Sequence, residues 1–153
     1  MPKSKPERNG GEEHPARKKA MDLLLRMDRT EKNLRDKLRE KEFSDEEIED
    51  AVQYVKGFHY LDDERFAETY IRFHENEKSR LRLRQDLIRK GVDRELCEQK
   101  LRELYAGDED AQIRYFLEKK QYSPDMEEKE KRRIYAFLAR KGFETAKIYQ
   151  AMR

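Results

Sequence analysis

Apolar residues spaced four positions apart mark three similar stretches of the chain, Leu34–Val52, Leu83–Leu101 and Ile134–Met152. Each stretch opens and closes with such a pair, and a single apolar residue lies between the two pairs. Residues four apart share one face of an α-helix. Each stretch therefore predicts two short amphipathic helices with a break between them.

The break falls at Gly91 in the second stretch and at Gly142 in the third. Glycine adopts the left-handed conformation that ends many helices without a steric penalty. The first stretch departs from this pattern because Glu42 holds the equivalent position. Its helix pair is therefore predicted to break without a glycine.

A further helix is predicted before each pair, which gives nine helices in three units. The predicted spans are about 15–27, 31–41, 45–56, 63–73, 79–90, 94–105, 109–119, 127–140 and 144–152. Residues that can cap a helix, or that suit its first turn, indicate most of the starts. They are Pro15, Thr30, the capping box from Ser44 to Glu47, Asp62 or Asp63, Asp93, and Ser123 followed by Pro124.

The predicted fold is all-α, an elongated array of three tandem three-helix repeats without strands. The repeats span residues 15–57, 58–106 and 107–153, and a disordered tail, residues 1–14, precedes them. Only 35% of the 153 residues are hydrophobic and 46% are charged, so each helix can offer its neighbours only a thin apolar stripe. A repeat array suits this composition because each unit packs only on the next.

Few sequence features point to a membrane, a disulfide or a cofactor. Cys97 is the single cysteine and occupies a position that is apolar in the other stretches, so we expect a small buried residue. No apolar run approaches the roughly 20 residues needed to cross a bilayer. The first residues lack the apolar segment of a secretory signal. We therefore expect a cytoplasmic protein without a membrane contact.

Catalytic motifs are equally scarce. The sequence has no phosphate-binding glycine loop, no HExxH and no paired CxxC, and its three histidines lack metal-ligand spacing. Asp62 and Asp63 could act as an acid/base pair or bind a cation. They could equally form a helix N-terminus, where the helix dipole favours carboxylates. We predict the second role, and hence no enzyme activity, no metal and no cofactor.

Basic charge recurs on the middle helix of each repeat. The net charge of these segments is +3 in the first repeat and +5 in the second and third, although the whole chain carries only +2. Repeated basic helices can follow a polyanion or a filament, because each weak contact adds to the last. Alternatively, these cations only pair with acidic neighbours. Nine aromatic residues could stack on nucleobases, but the helical spacing of most of them favours a role in the core. They are Tyr60, Phe66, Tyr70, Phe73, Tyr115, Phe116, Tyr135, Phe137 and Tyr149.

One motif resembles a known family. The string Tyr60-Leu61-Asp62-Asp63, then Arg65-Phe66-Ala67, precedes a basic stretch that leads into Leu87-Ile88-Arg89-Lys90-Gly91-Val92. This pattern, with its flanking repeats, is similar to the RecX regulatory proteins of bacterial recombination. The resemblance covers the chain from about residue 16 onward. Glu42 departs from it.

The resemblance implies a non-enzymatic protein that binds the RecA recombinase and its filament on single-stranded DNA. It also implies inhibition of RecA ATP hydrolysis, strand exchange and the co-protease activity that induces the SOS response. We expect a monomer, and the basic helices predict that any direct DNA contact is weak and non-specific. Asp62, Phe66 and Tyr70 are assigned to structure. The predicted contact residues are Arg80, Arg82, Arg84, Arg89, Lys90, Lys131, Arg132, Arg133, Arg140 and Lys141.

Two other functions stay open. A stand-alone DNA-binding module would place its basic helices on phosphates and lose affinity steeply as salt rises. An enzyme would use Asp62 and Asp63 as its acid/base pair.

Overall fold

The computed structural model describes residues 14–153. This part of the chain forms nine α-helices and no strand, which confirms the all-α class and the three sets of three helices. The predicted tail, residues 1–14, lies outside the described residues except for His14. The helices are α1 (Pro15–Arg26), α2 (Glu31–Glu40), α3 (Asp45–Gly57), α4 (Asp63–His74), α5 (Arg80–Lys90), α6 (Arg94–Leu104), α7 (Glu109–Lys119), α8 (Glu128–Arg140) and α9 (Thr145–Ala151).

Most of the predicted caps are confirmed. The hydroxyl of Thr30 accepts a hydrogen bond from the backbone N–H of Asn33 at 3.1 Å. Ser44 and Glu47 form the reciprocal capping box. Asp62, rather than Asp63, accepts from the backbone at the start of α4, and Asp93 does so at the start of α6. Side-chain acceptors thus satisfy N–H groups that the helices themselves leave free.

The predicted start at Ser123 and Pro124 is wrong. The Ser123 hydroxyl accepts from the N–H of Asp125 at 3.3 Å, and its carbonyl accepts from the N–H of Met126 at 3.1 Å. These bonds of Ser123 close a turn, and no helix begins at Pro124. The next helix, α8, begins only at Glu128, after Glu127 in extended conformation.

The breaks inside the helix pairs all use a left-handed residue. Gly91 and Gly142 have φ angles of 104° and 93°, and Glu42 has 66°. Glu42 therefore takes the conformation that glycine takes in the other repeats. Positive φ alone does not explain why the other two positions hold glycine.

Close approach of a neighbouring helix explains the two glycines. A Cβ on Gly91 would lie 2.3 Å from Cβ of Lys32, and a Cβ on Gly142 would lie 2.6 Å from Oγ of Ser79. Real Cβ contacts do not reach such distances. Glu42 is exposed, so its side chain meets no such obstacle.

A hydroxyl accompanies each glycine. Thr30 donates a hydrogen bond to the carbonyl of Lys90, which precedes Gly91. Ser79 donates to the carbonyl of Lys141, which precedes Gly142, at 3.2 Å. We call this arrangement the hydroxyl–glycine joint: a hydroxyl at the N-terminus of one helix donates to the carbonyl just before the glycine that ends another helix. It occurs twice with equivalent partners, each time between the N-cap of one repeat's middle helix and the end of the next repeat's middle helix, and so reflects the repeat.

By packing, the chain divides into two compact units. Of the described residues, one unit contains 14–67 together with Ile88–Leu96, and the other contains Glu68–Leu87 with Cys97–Arg153. The second repeat contributes to both units.

The predicted apolar pairs lie in the cores. In the first unit, Leu34, Leu38, Ile48 and Val52 are at most 1% exposed. In the second unit, Leu138 and Ile148 are fully buried, and the thiol of Cys97 is buried as predicted. Burial of each such side chain contributes about 1.5–3 kcal/mol.

Candidate functional site

The start of α5 lies against the end of α8. Ser79 caps α5 by accepting from the N–H of Arg82 at 3.1 Å, while its hydroxyl donates to the Lys141 carbonyl. The guanidinium of Arg82 donates to the carbonyl of Arg140 at 3.3 Å. The fold thus brings three of the predicted contact residues together.

A buried carboxylate, Asp86, holds Lys78, which precedes α5, and Arg82 of α5 itself. Asp86 is buried, and its carboxylate accepts from Lys78 at 2.8 Å and from the Tyr70 hydroxyl at 3.0 Å. Arg82 adds a salt bridge at 3.1 Å. Burial opposes ionisation of Asp86, but these donors outweigh it and lower its pKa. Arg82 therefore acts partly as a structural counter-ion.

The other predicted residues of α5 differ in their surroundings. Arg84 forms a salt bridge with Glu98 of α6. The side chain of Arg80 is exposed, and its backbone N–H donates to Glu109 at 2.9 Å. Arg89 and Lys90 are exposed at the C-terminal end of the helix, where the Lys90 carbonyl belongs to a hydroxyl–glycine joint.

The cations of α8 are more exposed than those of α5 and have fewer carboxylate partners among the described residues. Arg132, Arg133 and Arg140 are exposed, and within the described part of the chain their side chains form no salt bridge. Lys129 is also exposed and shares a helix face with Arg133 and Arg140, because these residues are spaced by four and seven. The predicted contact set omitted Lys129, although the same spacing in the sequence could have indicated it. We call these four residues, Lys129, Arg132, Arg133 and Arg140, the α8 cation cluster.

Lys131 and Lys141 are less exposed than the α8 cation cluster and so less accessible to a partner. Lys131 is half-buried and lies 3.6 Å from Glu128. The ammonium group of Lys141 lies 5.1 Å from the ring centre of Phe116 and 5.2 Å from that of Phe137. Such cation–π contacts hold a lysine near the surface while its charge stays accessible.

The two carboxylates considered for catalysis have backbone partners. Asp62 caps α4, and Asp63 accepts from the N–H of Glu31 at 2.9 Å. Burial raises the pKa of Asp63. Both groups thus stabilise helix N-termini, as the dipole argument predicts. Across residues 14–153 no cluster of acidic, cysteine or histidine ligands could hold a metal ion, and none of their helices is long and apolar enough to span a bilayer.

Comparison with known proteins assigns each repeat. The sequence models described as the first, second and third three-helix domains of RecX match residues 16–54, 62–101 and 108–152. The regulatory protein RecX of Trichlorobacter lovleyi is 37% identical over 137 residues, which cover 86% of this chain and 89% of that protein. The chain belongs to the RecX family. The Tyr60–Ala67 string, on which the resemblance to this family rests, lies at the start of the matched second domain.

Other RecX proteins are similar over different shares of their length. The RecX of Caldanaerobacter subterraneus is 34% identical over 90% of this chain and 68% of that protein. The RecX of Clostridium acetobutylicum is 33% identical, but the match covers 61% of this chain and 44% of that protein. This chain therefore spans about half the length of some RecX relatives. The crystal structure of RecX from Lactobacillus salivarius shares the fold, with a TM-score of 0.68, 23% identity and coverage of 90% of this chain and 92% of that one.

Proposed function

We propose that this RecX family member binds the RecA recombinase filament on single-stranded DNA and inhibits its ATPase, strand-exchange and co-protease activities. It would act as a monomeric, non-enzymatic regulator in the cytoplasm and so modulate DNA repair and the SOS response. Membership of a family of regulatory proteins supports the regulatory role. The α8 cation cluster is the observation that carries the proposed contact with an anionic partner.

Open cations suit this role for a physical reason. An arginine without an internal carboxylate can form charge-assisted hydrogen bonds with a carboxylate or phosphate of a partner at no cost to its own fold. Several such contacts add up when they engage a repeating filament. We infer that Arg132, Arg133 and Arg140 contribute most, followed by Arg80, Arg89, Lys90, Lys131 and Lys141. Arg82 and Arg84 contribute less, since carboxylates already hold them.

A titration of RecA ATP hydrolysis on single-stranded DNA tests the proposal. Increasing amounts of this protein should slow hydrolysis below one copy per RecA subunit, because one bound copy can affect neighbouring subunits of the filament. An unchanged rate at saturating protein would contradict it.

The stand-alone DNA-binding module makes a different prediction. It requires tight binding to DNA without RecA at physiological salt, with a steep loss of affinity as salt rises. Binding that depends on RecA at this salt concentration favours the RecA regulator. Tight binding without RecA, together with normal RecA hydrolysis, favours the module.

A further inference from the structure

An open aromatic ring lies beside the α8 cation cluster. Tyr149 of α9 is 65% exposed, and its ring packs against that of Tyr135 of α8 with centroids 4.9 Å apart. Tyr135 in turn packs against the buried core of the third repeat. Tyr149 is thus supported from the core side while most of its surface faces solvent.

Tyr149 differs from the other exposed aromatic rings. Phe73 is 75% exposed, but it stands edge-on to His74 and does not line this groove. Tyr115 is 54% exposed, and the ammonium group of Lys119 lies over its ring at 5.5 Å. Among the described residues, no lysine or arginine lies over the ring of Tyr149. Its outer face is therefore available for stacking.

The ring forms part of a groove that combines aromatic and charged side chains. The groove has a volume of about 380 Å³ and is lined by the rings of Tyr122, Tyr135 and Tyr149, by Met152, and by the charged residues Glu128, Lys131, Arg132 and Arg153. Glu128 lies 3.6 Å from Lys131, so these two charges largely offset each other. Arg132, which belongs to the α8 cation cluster, and Arg153 also line the groove, so its lining carries a net positive charge.

A nucleotide combines the two properties that this groove can recognise. Its base has a flat π-face, which stacks on aromatic rings in a sequence-tolerant way, and its phosphate pairs with arginine. The volume falls within the range of about 300–1,000 Å³ that is typical of pockets for small ligands. Bases in a duplex are stacked on each other, so only an unpaired base can use the Tyr149 face.

We propose that this groove binds one unpaired nucleotide of single-stranded nucleic acid, with the base on Tyr149 and its phosphate on Arg132. This contact is direct and needs no RecA. It therefore goes beyond the proposed regulation of RecA, and its test leaves RecA out.

Binding of a fluorescein-labelled single-stranded oligothymidylate to the full chain at low salt tests the groove. Tyr149→Ala should weaken binding roughly 5- to 100-fold, the effect expected for loss of one stacked base. Tyr149→Phe should bind like the parent, because it keeps the π-face. Arg132→Gln should reduce the slope of log affinity against log salt by about 0.7, the value for one phosphate contact on a single strand.

Tyr115→Ala serves as the matched control, since it removes an exposed tyrosine elsewhere on the same repeat. Equal binding by the Tyr149→Ala and Tyr115→Ala proteins would overturn the proposal, as would an equal loss in Tyr149→Phe, or a parent protein that does not bind. If Tyr149→Ala fails to fold, ultraviolet cross-linking of the parent to an oligonucleotide that contains 5-iododeoxyuridine replaces it. Attachment at Tyr149 supports the site, and attachment only at other residues overturns it.

Discussion

The middle helices of the first and third repeats, α2 and α8, are equivalent in sequence but differ in the state of their charges. In α2, Lys32 and Arg39 both contact Asp36, at 3.1 and 3.3 Å, and Lys37 lies 3.6 Å from Glu40. Arg35 bridges Glu31 and Glu49. In α8 the only such contact among the described residues is that of Lys131.

The C-terminal ends of the same two helices differ as well. Both continue into a left-handed residue, but at α2 this is the exposed Glu42, whereas at α8 it is the buried Gly142 in a hydroxyl–glycine joint. At this repeat position, Glu42 only ends its helix, whereas Gly142 also allows the close approach of Ser79. Equivalence in the sequence repeat therefore does not imply equivalence in function.

The largest expected effect concerns the helix ends. Gly142→Ala should lower the free energy of unfolding by about 3 kcal/mol, because it adds left-handed strain of about 1–2 kcal/mol and a clash of similar size. Glu42→Gly removes left-handed strain of about 1–2 kcal/mol without a clash, partly offset by the freedom glycine adds to the unfolded chain, and should raise the free energy of unfolding by about 0.5–1 kcal/mol. Urea denaturation measures both. A Gly142→Ala cost of no more than 1 kcal/mol would mean that the joint is not tightly packed.

The next effect concerns α5, which is intermediate because carboxylates hold two of its cations, Arg82 through the buried Asp86 and Arg84 through Glu98. Asp86→Asn should lower the free energy of unfolding by about 3 kcal/mol at neutral pH, the usual result of breaking a buried pair. The pKa of Asp86 is lowered from its ordinary value of 3.8. Its contribution is therefore complete above pH 3.8 and is lost as the pH falls further.

Denaturation of the parent and Asp86→Asn proteins between pH 3 and pH 7 checks this dependence. The difference between the two should be constant near neutral pH and shrink at the acidic end. A difference that grows toward low pH would show that Asp86 is not ionised in the folded protein.

The smallest effect tests the charges of the two helices directly. Arg132→Glu with Arg133→Glu in α8 should weaken inhibition of the RecA ATPase about 100-fold, roughly 1.4 kcal/mol for each arginine that loses an anionic partner. Lys37→Glu with Arg39→Glu in α2 makes the same change in net charge. It should leave inhibition within about twofold and cost about 1 kcal/mol of stability through lost pairs along the helix. Equal loss of inhibition in both proteins would mean that overall charge matters and the α8 cation cluster does not.

The sequence by itself determined the helices and the repeat. Apolar spacing and capping residues act within a few positions of each other, so Leu34, Leu83 and Ile134 could be assigned to buried helix faces without a structure. The one wrong helix start, at Ser123 and Pro124, also has a local cause, because a serine hydroxyl can close a turn as well as cap a helix.

Only the tertiary structure decided which cations are open and why two breaks require glycine. The pair of Arg82 with Asp86 lies four residues apart and could be predicted from spacing. The pairs of Arg84 with Glu98 and of Arg35 with Glu49 join different helices, and so does the approach of Ser79 to Gly142. These contacts depend on how helices pack against each other, which local periodicity does not specify.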